Sequence, residues 1–229
     1  MRKTVITSVS VVIASVILAF GMGKIMHTER TVSVRGLAEK EVDADLAVWK
    51  LSYSIGSNTL KELQNQILSQ NELAKNFLEN YQLSKSDYTV LSPEITDATV
   101  SMYSDPEHRN YDYIAKQSIL IRSGNVHGVK EAAQNTIQLL GQGVSVSSDW
   151  DAKVEYYFNG LNEIKLDMIA EATENAHKAA EQFAHDSKSK VGKILTANQG
   201  LFSIEDAAPG LEYRKTVRVV TTVVYSLID

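Results

Sequence analysis

Three kinds of hydrophobic pattern succeed one another along this chain. The first is an uncharged run of twenty residues, Thr4 to Gly23, with Arg2 and Lys3 before it and Lys24 after it. At helical rise such a run spans about 30 Å, the hydrocarbon thickness of a bilayer. Basic residues on its N-terminal side predict a cytoplasmic N-terminus and an exported remainder. Residues 1–24 therefore read as a transmembrane anchor and 25–30 as a tether. A cleaved signal peptide is the alternative, with Ala19-Phe20-Gly21 as the nearest approach to a cleavage site. Against it, the run is longer than the usual apolar stretch of about 7 to 15 residues, and no A-x-A follows.

The second pattern has a period of two. Thr31 to Gly36 reads as a short strand ended by glycine, followed by a charged turn over Leu37–Asp45. From Leu46 to Ile55, the residues Ala47, Trp49, Leu51, Tyr53 and Ile55 share one face and Lys50, Ser52 and Ser54 the other. That alternation fits an antiparallel strand with one solvated side. Strands are also expected at Tyr88–Leu91, Tyr113–Arg122, Val144–Val146, Val154–Phe158 and Lys193–Leu201. The strongest strand signal is Thr216–Leu227.

The third pattern is helical. Thr59 and Glu62 make a capping box that opens a helix whose apolar stripe is Leu60, Leu63, Ile67, Ala74, Phe77 and Tyr81. A second helix fits Val126–Leu140, ended by the turn Gly141-Gln142-Gly143. A long third helix fits Leu161–Ala184, with Leu161, Ile164, Met168, Ala172, Ala176, Ala179 and Phe183 on its inner side. The alanines in that stripe predict close approach to a neighbouring element. The layout expected is α+β: one antiparallel sheet with helices packed on one face, preceded by one N-terminal transmembrane helix. Residues 31–229 read as a single domain.

Charge narrows the partners. Taking Arg2 and Lys3 out of the formal charge of −5 leaves −7 on the exported part, which disfavours nucleic acid. The chain has no cysteine, so no disulfide supports it and lipidation at an N-terminal cysteine is excluded.

The candidate chemistry is sparse. His27, His108, His127, His177 and His185 show none of the tight spacing of a zinc site. His177 and His185 are separated by about 12 Å along one helix. No G-x-S-x-G elbow occurs, and Gly141-Gln142-Gly143 lacks the third glycine and the lysine of a phosphate loop. Asp149 with Asp151, and Glu205 with Asp206, read as exposed loop charge rather than calcium ligands. No catalytic residue, metal ligand or cofactor is indicated, and the chain does not read as an enzyme. Tyrosines are the remaining cluster. Tyr103, Tyr111 and Tyr113 lie in or beside the polar loop 95–110 and form the candidate interaction surface. Strand-edge packing explains them equally well.

Several separated segments resemble one family. Thr31-Val-Ser-Val-Arg-Gly36 followed by Val42-Asp-Ala-Asp-Leu-Ala-Val48 resembles the opening of the SIMPL-domain proteins, with Arg35-Gly36 in place of Ser-Gly and Ala44 in place of a proline. Leu83-Ser-Lys-Ser-Asp-Tyr-Thr89, with Pro93 beyond it, is similar to the family's turn before a strand. The Tyr113–Arg122 strand, the helix segment Ala170–Ala179 with Val191-Gly192-Lys193-Ile194 after it, and the closing Val217–Leu227 strand follow in family order. The resemblance implies an α+β fold, export in bacterial members and no established catalytic residues. It also implies roles in stress tolerance, envelope integrity or protein interaction, with ring-forming or channel-like oligomers in some members. No site residue transfers from it.

The expectation is a membrane-tethered, homo-oligomeric interaction module of the bacterial envelope, single-pass in the inner membrane with its C-terminal domain outside the cytoplasm. The alternatives are a periplasmic small-ligand or peptide-binding domain, and an enzyme without a recognisable motif.

Overall fold

The computed structural model describes residues 30–100, 110–147 and 152–229. In chain order these form β1 (Thr31–Asp43), β2 (Leu46–Ser57), α1 (Leu60–Asn80), β3 (Tyr88–Val90), β4 (Glu94–Asp97) and β5 (Tyr113–Ser123). They continue with α2 (Val126–Gln134), α3 (Ile137–Gly141), β6 (Glu155–Tyr157), α4 (Leu161–Asp186), β7 (Lys190–Gln199), β8 (Ser203–Asp206) and β9 (Arg214–Ile228). The α+β class holds. The uncharged run Thr4–Gly23 lies outside the described residues, and among these no helix is long and apolar enough to cross a membrane.

The strands form two sheets rather than the single sheet expected. One has the order β3-β5-β2-β6, with β4 also on β5. The other has the order β1-β9-β7, with β8 also on β9. The reason lies in β2, whose two sides are both taken. β5 pairs with it antiparallel from Ala47↔Ser123 to Ser57↔Tyr113, while β6 and a bridge at Val146 occupy the other side. No edge is left for β1, which pairs with β9. Nor does β1 end at Gly36. The strand runs on to Asp43, so the charged segment expected as a turn is its C-terminal part.

By their contacts the residues fall into two compact units. The larger comprises 39–166 and 203–218 and holds eighteen buried residues in one cluster, built on β2, β5, α1 and α2. Here the alternation of β2 is confirmed. Ala47, Trp49, Leu51, Tyr53 and Ile55 are all buried. Its second face is not simply solvated, because Ser52 is buried too and shares a hydrogen bond with Ser118 at 2.9 Å. α1 begins at the expected cap: the Glu62 N–H donates to Thr59 Oγ1 at 3.2 Å. Leu63, Ile67, Ala74 and Phe77 face the core as the stripe predicted, while Leu60 stays exposed and Leu78 joins the buried set. The single helix expected over Val126–Leu140 is two. Asn135 ends α2 by donating from its backbone N–H and side-chain amide to the Glu131 carbonyl.

The smaller unit comprises 30–38, 167–202 and 219–229. Its core is a cluster of five buried residues, Val34, Ala176, Ala180, Val223 and Tyr225. α4 buries Met168, Ala172, Ala176, Ala180 and Ala184, an i, i+4 stripe of small side chains. Phe183, expected on the inner side, is exposed. The small stripe lets the helix backbone approach β1 at Gly36, where a Cβ would stand 1.8 Å from the Ala172 carbonyl oxygen and 2.4 Å from the Ala176 nitrogen. No side chain fits there.

The start of α4 is held from a distance in sequence. The Asp45 carboxylate accepts from the Asn159 N–H at 2.8 Å, the Asn159 side-chain amide at 3.0 Å and the Gly160 N–H at 2.8 Å. A negative charge at these orphan donors caps the helix and complements its dipole.

Candidate functional site

Two surfaces stand out, one in each unit. The first is a groove in the larger unit between the N-terminal half of α1 and the edge formed by β3 and β4. Ser57 Oγ, at the end of β2, donates to Glu62 and accepts from the Thr59 N–H. The helix therefore starts as the strand ends, which sets Leu63 and Ile67 against the sheet and leaves Leu60 and Leu68 outside.

Across from the helix, β3 and β4 run along the same partner strand with a defect between them. Val90 pairs with Ile119 and Glu94 with Lys116, so four steps on the edge face three on β5. One residue is extra, which makes Leu91–Pro93 a β-bulge. Pro93 suits it, since an edge bulge needs no ladder N–H there. The bulge frees the Leu91 carbonyl, and Gln117 Nε2 takes it at 2.7 Å. The same nitrogen also donates to the Ser118 carbonyl at 3.1 Å. Bulge and helix between them leave a groove of about 450 Å³, lined in part by Leu60, Leu68, Leu91 and Ile95. All four of these are exposed to solvent.

Three polar side chains interrupt this apolar surface: Gln64, which is exposed, Asn71 and Gln117. Asn71 is fixed by Tyr53, whose buried hydroxyl donates to Asn71 Oδ1 at 2.7 Å. Burial pushes the Tyr53 phenol far above its ordinary range, so it stays neutral and keeps donating. Gln117 is fully buried, and its Oε1 has no hydrogen-bond partner among the described residues. Past Val90 the surface along α1 turns polar, with Glu72, Lys75, Glu79, Lys85 and Tyr88 around a second recess. Lys75 donates to Glu72 at 2.7 Å and holds that carboxyl below its usual value.

The second surface is β7, in the smaller unit. Among the described residues it is an edge strand paired with β9 alone, from Lys190↔Ile228 to Gln199↔Thr221, with register shifts on either side of Ile194. Seven consecutive residues, Lys193 to Gln199, are exposed, including Ile194 and Leu195.

The tyrosines singled out from the sequence are distributed differently. Tyr103 lies outside the described residues. The Tyr111 ring is half-exposed and lies over Gly56, where a Cβ would come within 2.3 Å of it. Tyr113 pairs with Ser57 and Asp97 in the sheet and packs against the core. Neither Tyr111 nor Tyr113 lines the groove, whereas Ile95, from the segment expected as the same loop, does. Among the described residues no three His, Asp or Glu side chains converge as a metal site would require. His177 stacks beside Tyr225 with ring centroids 5.5 Å apart.

The groove was missed at the sequence level, although signals for it are present. Pro93 sits inside a strand-like stretch, which marks a bulge. Gln117 occupies an inward position in the alternation Ala115, Gln117, Ile119, Ile121, where an apolar residue is expected.

The sequence has a counterpart among protein families. The SIMPL family model, described as "Protein of unknown function (DUF541)", matches residues 32–225. The chain belongs to the SIMPL family. No curated protein matches it. With the geometry in hand, the residues that carry the SIMPL pattern prove to be those that fix the fold. Gly36 admits α4, Asp45 caps it, and Asp87 closes the turn after α1 by accepting from the Ser84 N–H at 2.8 Å and from its hydroxyl. Of the groove-lining residues, Leu68 and Leu91 lie outside the segments that carry the resemblance, whereas Gln117 falls within the Tyr113–Arg122 strand.

Proposed function

We propose that this SIMPL protein is an extracytoplasmic interaction module, tethered through its N-terminal apolar run and self-associating in the bacterial envelope, where it serves envelope maintenance or stress tolerance. The observation that carries self-association is β7, an edge strand of ten residues exposed over most of its length. An exposed edge with apolar side chains is a template for pairing with another strand. A second copy of β7 is the partner that fits. Its lysines, Lys190 and Lys193, both lie toward one end of the strand. An antiparallel pair of β7 strands places the two sets of lysines at opposite ends of the ribbon, and Ile194 and Leu195 near its middle. Parallel pairing would set like charges side by side. Anchoring in a membrane raises the effective concentration of neighbouring copies, so a modest interface suffices.

The test uses the absence of cysteine. Leu195→Cys introduces a single thiol at the centre of β7, within disulfide distance of its symmetry mate in an antiparallel pair centred there. Native membranes carrying the full chain should yield an intermolecular disulfide, and lysine at both Ile194 and Thr196 should abolish it. A full chain that stays monomeric in cross-linking and light scattering, with or without those lysines, defeats the proposal.

A further inference from the structure

The groove between α1 and the β3–β4 edge has no part in that reading, and its composition is specific. None of its lining residues carries a charge. Its volume, about 450 Å³, is in the range of small-molecule sites, which are mostly apolar with a few placed polar groups. Leu60 and Leu68 from the helix and Leu91 and Ile95 from the edge segment surround one opening, although a soluble surface favours none of them there.

Gln117 supplies the independent observation. Its NH2 group is committed to two backbone carbonyls, those of Leu91 and Ser118. That commitment orients the amide, since the opposite orientation would set oxygen against oxygen. The remaining atom, Oε1, is a buried acceptor without a donor. Leaving such a group unpaired is costly, and hydrophobic residues occupy every other inward position of this part of β5. Of the other polar residues of the lining, Asn71 has its carbonyl oxygen engaged by Tyr53, and Gln64 is exposed to solvent.

We infer that this groove is a binding site for a small, uncharged, largely apolar molecule carrying one hydrogen-bond donor, which Gln117 Oε1 accepts. Leu60, Leu68, Leu91 and Ile95 enclose the apolar body. A charged ligand is disfavoured because the lining offers no counter-charge to offset its desolvation. The bulge at Leu91–Pro93 gains a purpose on this account, since it opens the edge and aligns Gln117 in one step.

Two matched probes test it: 2-naphthol, which has an O–H donor, and 2-methoxynaphthalene, which has the same ring system and none. Equilibrium dialysis is run against the full chain in lipid nanodiscs, with binding to empty nanodiscs subtracted. The wild-type chain should bind 2-naphthol about 2- to 10-fold more tightly than the methyl ether, the span expected of one net hydrogen bond. Gln117→Leu should remove that difference while both probes still bind. Leu68→Glu, at an exposed rim position that tolerates polarity, should weaken both. Equal binding of the two probes by the wild type overturns the inference, as does undiminished binding by Leu68→Glu. Both of these outcomes are readable even if Gln117→Leu fails to fold. Self-association through β7 is measured separately, so the failure of one proposal leaves the other standing.

Discussion

The two units solve the same packing problem with opposite materials. In the larger, large side chains fill the interior: Trp49, Leu51, Tyr53, Phe77, Leu83 and Ile121 belong to one buried cluster fed by three helices and a sheet. In the smaller, the helix presents alanine, and the interior is closed by bringing backbone against backbone at Gly36. Apolar volume stabilises the first through area removed from water. Proximity stabilises the second, and it leaves little interior in reserve. The contrast shows why an exposed edge such as β7 and an exposed Phe183 belong to the smaller unit. A single alanine-lined helix covers β1 and β9 but leaves most of β7 bare.

The comparison can be broken most forcefully at Gly36. Gly36→Ala should cost about 3 kcal/mol or more, because the added Cβ meets backbone atoms of α4 that cannot rotate away. Denaturant titration measures the loss. Hydrogen exchange sharpens it: protection should fall in 172–184 and 219–225 while 115–121 remains slow. Equal loss in both regions would mean that the two units unfold as one and the contrast has no energetic meaning. Leu51→Ala is the converse experiment, taking volume from the larger unit. It should cost about 3 kcal/mol through transfer and cavity formation, with protection lost first around 115–121.

Next in size is Asp45→Ala, which removes the acceptor of the Asn159 and Gly160 N–H groups at the start of α4. A loss of about 1 to 2 kcal/mol is expected, with Asp45→Asn retaining part of it. Thermal melts of the pair would show whether the carboxylate or merely an oxygen is needed.

The smallest effect is one of pH. Burial raises the phenol of Tyr53 above its ordinary value, and burial also raises those of Tyr156 and Tyr225. A raised folded-state value means that the unfolded chain releases these protons first as pH rises. The stabilisation is therefore complete below about pH 10, the ordinary tyrosine value, and is lost progressively above it. Tyr53→Phe should give a shallower decline of stability between pH 10 and 12. An unchanged slope would show that Tyr53 does not carry the effect.

Much of the larger unit was legible from pattern alone. Strand alternation in β2 and the cap at Thr59 are local signals, and each appears where chemistry puts it. The helix expected over Val126–Leu140 broke at Asn135 because a side-chain amide competed for the helical carbonyl, a contact that periodicity does not register. The expected inner position of Phe183 failed for a related reason. The spacing allowed either Ala179 and Phe183 or Ala180 and Ala184 on the inner face, and only the close approach at Gly36 selected the smaller pair. The candidate site was less legible still. Tyr111 and Tyr113 drew notice as aromatic residues in a polar stretch, whereas the groove is assembled from a helix, an edge bulge and Gln117.

By itself the sequence determined what depends on neighbours along the chain: the α+β class, most of the longer strands and helices though not the short strands β4 and β8, the capping of α1, and membership of the SIMPL family through residues in a fixed order. Tertiary structure decided what depends on partners far apart in sequence. β2 used both its edges on β5 and β6, so β1 crossed to β9 and one expected sheet became two. Asp45 found its helix 114 residues away, and Gln117 found the carbonyl that a bulge had set free. Local propensity cannot encode such choices, because each is fixed by which hydrogen-bonding edge remains unfilled once the rest of the chain has packed.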